Sequence, residues 1–334
     1  MENEKTVNFW LSSDDEKKDA YFKIKEKMNV NPKAAEKDWW VSHVIKAVFS
    51  LECAEALTFK GGTSLSKAWG ITQRFSEDVD ISIDKSFFGL SGDTRSSRDR
   101  IRKLSRKYIH EVVMDELRGL VYVYGGDKYE VDFKVRQDSD ADPTVLLVPY
   151  YSVLPADPYI KEVVKIEFSC RNLREPRELR SIVPFAAQLS PVIDFPETVI
   201  PTVVPTRTFL EKVFLLHEEF QKDHPRWHRM SRHLYDLYCL DAAGYAEKAL
   251  ADTDLYRTLV QHRSVFNAVS GIDYSGHQPQ NLRILPPVPL LPQWKDDYHS
   301  MQEQFIYGPS PSWDELCKAL RSIEDRLHGM ITSL

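Results

Sequence analysis

Hydrophobic and polar residues alternate along this chain with two different periods. Near the start the spacing is helical. Over residues 14 to 50, Trp39, Trp40, His43, Val44, Ala47 and Val48 recur three and four apart. Asp14 and Asp15 stand where a first helix can be capped, and Pro32 where a second can open at its first turn. Residues 93 to 119 also read as a helix. The period then shortens to two. Residues 119 to 136 predict a hairpin turning at Gly125-Gly126-Asp127, and another strand follows Pro143. In KEVVKIEFSCR, Val164, Ile166, Phe168 and Cys170 line one face, and Lys165, Glu167 and Ser169 the other. Helical spacing returns in RTFLEKVFLLHEEFQK, where Thr208 and Glu211 fit a capping box. A second helix is expected over residues 229 to 250, a Pro- and Leu-rich loop over 281 to 295, and a final amphipathic helix from Ser312 to about Leu327, with Gly329 as its stop signal.

Proline punctuates this order. Pro184, Pro191, Pro196, Pro201 and Pro205 stiffen one short stretch and make it the expected domain boundary. The expected organisation is an N-terminal helical segment over 1–54 packing on the core, a catalytic α/β unit over 55–200 and a helical domain over 201–334.

The 334 residues can bury one or two sizeable cores, and 42% hydrophobic with 28% charged residues is ordinary globular usage. The net charge of -6 does not advertise a nucleic-acid binder, so any RNA contact has to come from a local basic patch. Cys53, Cys170, Cys239 and Cys317 are isolated in sequence and read as small core residues in a reducing cytoplasm. No signal-peptide pattern opens the chain and no apolar run approaches a membrane span.

Chemistry concentrates in KGGTSLSKAWGITQRFSEDVDISID, residues 60 to 84. A Gly-Gly-Thr-Ser turn opens a helix expected from Ser64 to Trp69 and offers backbone N–H groups and hydroxyls to a phosphate. A strand then carries Asp78 and Asp80. Side chains two apart share a face, so both carboxylates can hold one divalent metal. A phosphate cradle beside a carboxylate pair is the minimal equipment for metal-assisted phosphoryl or nucleotidyl transfer. Ser64 and the preceding Gly61, Gly62 and Thr63 are the phosphate candidates, although serine is also an ordinary helix cap. Ser76 either touches the nucleotide or closes the loop. Lys60 and Arg74 are phosphate partners or plain surface charge. Glu167 is a further carboxylate, which the residues alone present as one of the polar positions that alternate along a half-exposed strand.

The glycine turn, a spacer of about ten residues and Asp-x-Asp resemble the hallmark of the DNA polymerase β-type nucleotidyltransferases. The fuller run, Lys-Gly-Gly-Thr-Ser-Leu-Ser-Lys followed by Arg-Phe-Ser-Glu-Asp-Val-Asp, is similar to the AbiEii/AbiGii branch, the toxins of toxin–antitoxin and phage-defence operons that include the MenT toxins. The resemblance extends more thinly over most of the chain, and it makes Glu167 the third-carboxylate candidate, able to activate the attacking hydroxyl. It implies an α+β fold: a polymerase β-like mixed sheet with flanking helices, plus a C-terminal helical domain. It also implies a magnesium- or manganese-dependent enzyme held by Asp78 and Asp80, an NTP substrate, a tRNA acceptor often modified at its 3′ end, growth arrest, and a neighbouring antitoxin gene encoding a winged-helix-like repressor.

Two further features bear on that expectation. Lys212 falls on the apolar stripe of Phe209, Val213, Leu216 and Phe220, so it must snorkel, pair with an acid or face a cleft. The resemblance gives Lys212 a phosphate and gives Asp236, in Arg-His-Leu-Tyr-Asp-Leu, the holding of active-site groups, and it leaves open whether Glu167 or Asp236 is the base that assists the acceptor. An Arg232–Asp236 surface pair is the plainer alternative. The segment from Arg95 to Lys107 has a strong basic excess over its one acid, Asp99: Arg95, Arg98, Arg102, Lys103 and Arg106 are the candidate RNA-backbone contacts, against the plain reading of a solvated helix. A protein or small-molecule acceptor, γ-phosphate transfer and a non-catalytic binding module remain open.

Overall fold

The computed structural model describes residues 9–90, 95–125, 134–171, 173, 175–190, 193, 195 and 198–330. Helix α1 (Asp14–Met28) starts from Ser13, whose hydroxyl accepts the Glu16 N–H while the Glu16 carboxylate accepts the Ser13 N–H. Asp14 and Asp15 therefore occupy the first turn rather than the cap. Helix α2 (Pro32–Val48) opens with Asn31 as cap and Pro32 in its first turn, as the sequence predicts.

β1 (Leu57–Lys60), α3 (Gly61–Lys67) and β2 (Asp78–Ile83) carry the glycine turn and the aspartates. α4 (Arg95–Tyr108) continues through a π-helical turn into α5 (Met114–Gly125). Then come β3 (Arg136–Gln137), β4 (Thr144–Pro149), β5 (Val163–Ser169), β6 (Arg177–Ile182), α6 (Phe185–Leu189) and β7 (Thr198–Val203). Among the described residues the strands form one sheet in the order β3-β4-β5-β2-β1-β7-β6. It is mixed: β2 runs antiparallel to β1 and parallel to β5, β1 pairs with β7 in parallel, and β4 is antiparallel to β5. Helices α7 (Pro205–Phe220), α8 (Ser231–Ala242), α9 (Tyr245–Ala251), α10 (Thr253–His262), α11 (Leu291–Gln304) and α12 (Trp313–His328) complete an α+β architecture with a helical C-terminal part.

The chain divides into two compact units. The first comprises residues 1–68, 75–92 and 99–202, and the second 69–74, 93–98 and 203–334. In the first, the apolar face of the sheet presents Phe59, Val79, Ile81, Leu146, Ile166 and Phe168, all buried, and α2 packs on β5 and α5. In the second, α7 packs on α8, α9 and α10, and α8 also packs on α11 and α12.

Several expected elements take a different form. Residues 119–125 belong to helix α5, not to a hairpin; 126–133 lie outside the described residues, and Arg136–Gln137 pairs with β4. Leu117 and Val121, four apart, are both buried in the unit where α5 packs on α2. That burial outweighs the few tenths of a kcal/mol per residue by which Val and Tyr disfavour a helix. Helix α7 begins at Pro205, three residues before the expected cap, because proline's fixed φ suits a first turn. Thr208 is therefore inside the helix, and Glu211 pairs with Arg207 at 2.8 Å. The helix expected over 229–250 breaks at Gly244, whose φ of 78° is left-handed, and α9 follows. The proline-rich stretch supplies α6 and β7, and α11 already begins at Leu291 within the expected loop. The last helix keeps its Ser312–Glu315 capping box.

Candidate active site

The polar face of the sheet gathers the candidate residues of the first unit. Lys60 on β1, Asp80 on β2 and Glu167 on β5 are lateral partners in register, and Asp78 is the partner of Lys165. The alternation in β5 agrees with the expected faces: Lys165, Glu167 and Ser169 are half-buried, while Val164, Ile166 and Phe168 are buried. Lys165 Nζ lies 2.7 Å from Glu167 Oε1 and 3.3 Å from Asp78 Oδ1. Burial works against its charge, but the bond to Glu167 and the Asp78 carboxylate outweigh it and hold its pKa above the ordinary lysine value.

The glycine turn is held directly against this face. Helix α3 starts at Gly61 with Lys60 as its cap residue, three residues earlier than expected, so Ser64 lies within the helix. Ser64 is fully buried, and its hydroxyl donates to the Gly61 carbonyl at 2.8 Å. Gly61 has φ +80°, and a Cβ there would sit 1.9 Å from Asp80 Oδ2. Both the backbone conformation and the approach of the carboxylate therefore demand glycine. The Thr63 hydroxyl is bonded to the Asp78 carbonyl and lies 2.9 Å from the Ser76 hydroxyl. Ser76 precedes β2, which begins at Asp78, and its hydroxyl lies beside that of Thr63.

A second cluster lies wholly in the second unit. Asp236 on α8 has no exposed surface, yet it is charged. Arg74 approaches it through Nε at 2.7 Å and Nη2 at 2.8 Å, and Lys212 on α7 adds Nζ at 2.8 Å. Burial would raise the Asp236 pKa, but Arg74 and Lys212 overcome it and hold it far below the usual range. Burial lowers the Lys212 pKa below its ordinary value despite Asp236. His233 Nδ1, 3.5 Å from Lys212 Nζ, is kept neutral by burial and by the adjacent positive charges. Of the options for Lys212, the structure shows pairing with an acid. The partners of Asp236 are Arg74 and Lys212 rather than a surface arginine.

On α4, Arg100, Lys103 and Lys107 are exposed, Arg98 and Arg102 are half-buried, and Arg106 donates to the Asp140 carbonyl at 3.2 Å. Arg95 begins the helix.

Two residues absent from the expected site grip it from α2. Lys37 Nζ is 2.6 Å from Glu77 Oε2, immediately before Asp78. Asp38 accepts Lys67 Nζ at 2.5 Å and the Phe185 N–H at 2.8 Å. Both Lys37 and Asp38 are buried. Lys37 and Asp38 stand beside two tryptophans in a helix that also carries Lys33, Glu36, Ser42, His43 and Lys46, so no local pattern singles them out, and nothing in sequence names partners tens of residues away.

The sequence matches a family model described as "Nucleotidyl transferase AbiEii toxin, Type IV TA system" over residues 49–319. The chain belongs to the AbiEii family of nucleotidyltransferase toxins. Gly61 to Ser64, Asp78, Asp80, Glu167, Lys212 and Asp236 all fall within the AbiEii match, whereas Lys37 and Asp38 precede it. No protein of curated function matches the sequence. Among solved structures the chain is similar to MenT4, a nucleotidyltransferase toxin from Mycobacterium tuberculosis H37Rv, at 16% identity and a TM-score of 0.40, over 96% of this chain and 100% of that one. The AbiEii assignment rests on the sequence match.

An AbiEii nucleotidyltransferase takes an NTP as donor, and such chemistry ordinarily uses a divalent metal. The residues present fit a hard cation. Their side-chain donors are carboxylate oxygens, and the Lys165 ammonium already lies between two of them. Among the described residues, no three His, Cys, Asp or Glu side chains converge closely enough to hold a metal by themselves. Phosphate oxygens and water would complete the shell, as is usual for magnesium. No helix among the described residues is long and apolar enough to cross a membrane.

Proposed function

We propose that this AbiEii toxin transfers a nucleotide from an NTP to a hydroxyl of tRNA, at or near its 3′ end, with magnesium or manganese held by Asp78 and Asp80. The observation carrying this reading is the common face of Asp78, Asp80 and Glu167 on adjacent parallel strands, with the Gly61 turn against Asp80. When bound, the metal would neutralise triphosphate charge. Glu167 accepts the proton of the attacking hydroxyl. The hydroxyl oxygen forms a bond to the α-phosphorus, and the bond to pyrophosphate breaks. Gly61, Gly62 and Thr63 hold phosphate through backbone N–H groups, Lys60 adds a positive charge beside Asp80, and Ser64 and Ser76 fix the turn's shape.

Asp236 is assigned a positioning role rather than that of a base, because Arg74 and Lys212 occupy both its oxygens. Arg74 and Lys212 are likewise assigned to holding Asp236. The exposed Arg100, Lys103 and Lys107 of α4 support an RNA acceptor, and Arg95, Arg98, Arg102, Lys103 and Arg106 are the residues assigned to its backbone. A cognate antitoxin is the expected partner, the cytoplasm the expected location and blocked translation the expected outcome.

The net charge of -6 favours a second reading, in which the acceptor is a protein or small molecule. One assay separates the two. Purified protein and its Asp80→Ala variant are incubated with magnesium, total tRNA and each α-³²P-labelled NTP. Label on RNA with wild type alone supports the proposal and names the donor. Label on protein or a small molecule alone moves the acceptor, and no label anywhere overturns nucleotidyl transfer.

A further inference from the structure

We propose that Lys37 and Asp38 of α2 are positioning residues that lock the phosphate turn and the carboxylate strand into one geometry. This rests on the reading that Asp78 and Asp80 hold the metal. Lys37 and Asp38 are consecutive, so one turn of a single helix makes both contacts. Lys37 holds Glu77, and through it the start of β2, at 2.6 Å. Asp38 holds Lys67, the last residue of α3, at 2.5 Å, and uses its other oxygen on the backbone N–H of Phe185. The first residues of α3 form the Gly61 turn, and Gly61 abuts Asp80. Two of the parts that must meet in the reaction are thus referenced to one rigid element. That element lies outside the matched family segment, which begins at residue 49.

Energetics favour a positional role over a stabilising one. Burying a lysine–carboxylate pair costs desolvation that roughly cancels its attraction, so a matched pair adds little net stability while strongly constraining geometry. Positioning is where such a constraint acts on rate: a misplacement of about 1 Å can cost roughly a hundredfold.

The test compares Lys37→Met, Lys37→Arg, the charge exchange Lys37→Glu with Glu77→Lys, and Asp80→Asn as a control. The readouts are Mn²⁺ affinity by titration calorimetry, kcat and KM for the NTP, and the melting temperature. Lys37→Met is expected to weaken Mn²⁺ binding and lower kcat by about a hundredfold, with KM for the NTP little changed. Lys37→Arg and the charge exchange recover most of the loss. Wild-type Mn²⁺ affinity and kcat in Lys37→Met would overturn the proposal. So would losses that follow the melting temperature alone and are not recovered by the exchange. If Lys37→Met does not fold, the arginine variant and the exchange decide: both failing while remaining folded sinks the idea. If Asp80→Asn binds Mn²⁺ as tightly as wild type, the metal-site reading fails instead, and the clamp loses what it was said to position.

Discussion

Arg74 and Asp236, far apart in sequence, meet through two parallel hydrogen bonds of 2.7 and 2.8 Å in a place where Asp236 has no contact with solvent. Lys212 joins the same carboxylate at 2.8 Å. A charge buried this completely is tolerated because its partners satisfy it, so the cluster is sensitive to losing one member. Asp236→Asn leaves two cations without a counter-charge and is expected to cost about 3–5 kcal/mol, read from urea denaturation. A variant as stable as wild type would mean that solvent reaches the cluster.

The same carboxylate has a pH signature. Its pKa is depressed in the fold, so its stabilisation is present above the unfolded value of 3.8 and is lost as pH falls below it toward the folded pKa. Denaturation midpoints are expected to fall steeply below about pH 4 in wild type. The cluster's share of that fall disappears in Asp236→Asn.

Histidines add a slope at milder pH. Burial lowers the pKa of His43 to about 3 and of His217 to about 4. Between the ordinary value of 6.5 and those folded values the unfolded chain binds protons that the fold refuses, so stability rises with pH across that window. Each buried histidine contributes about 1.4 kcal/mol per pH unit where the difference is a full proton. Removing the titrating ring by His43→Gln is expected to reduce the slope of unfolding free energy between about pH 4 and pH 6 by about one proton. An unchanged slope would show that His43 titrates normally in the fold.

Gly61 tests the coupling of turn to strand. Alanine there meets both a left-handed backbone and Asp80 Oδ2 at 1.9 Å. The strain costs roughly 1–2 kcal/mol, and the carboxylate has to move. Nucleotidyl transfer is expected to drop about a hundredfold or more. Full activity in Gly61→Ala would show that Asp80 can shift without harm to the reaction.

The basic helix makes a prediction about salt. If α4 tracks an RNA backbone, the double charge reversal Arg102→Glu/Lys103→Glu weakens tRNA binding. It also flattens the dependence of log affinity on log salt, by about 0.7 for each phosphate the variant no longer neutralises. Filter binding at several ionic strengths measures both. An unaltered slope with normal affinity removes α4 from the interface.

What the sequence determined by itself was the chemistry carried within short stretches. A period of two dictates that Asp78 and Asp80 share a face, because strand geometry leaves no other arrangement. It likewise assigns Lys165 and Glu167 to one side of β5 and Ile166 and Phe168 to the other. The Ser312–Glu315 box and Pro32 mark helix starts by hydrogen bonding and fixed φ within a few residues. Tertiary structure decided the questions whose answers lie far along the chain. Residues 119–125 look like a strand locally but belong to helix α5, which packs on α2 and buries Leu117 and Val121, four apart. Lys212 had three chemically sound fates, and the nearness of Asp236 selected one. Lys37 and Glu77, distant in sequence, are joined only because folding brings α2 alongside the start of β2, where desolvation forces each buried charge to find an opposite one.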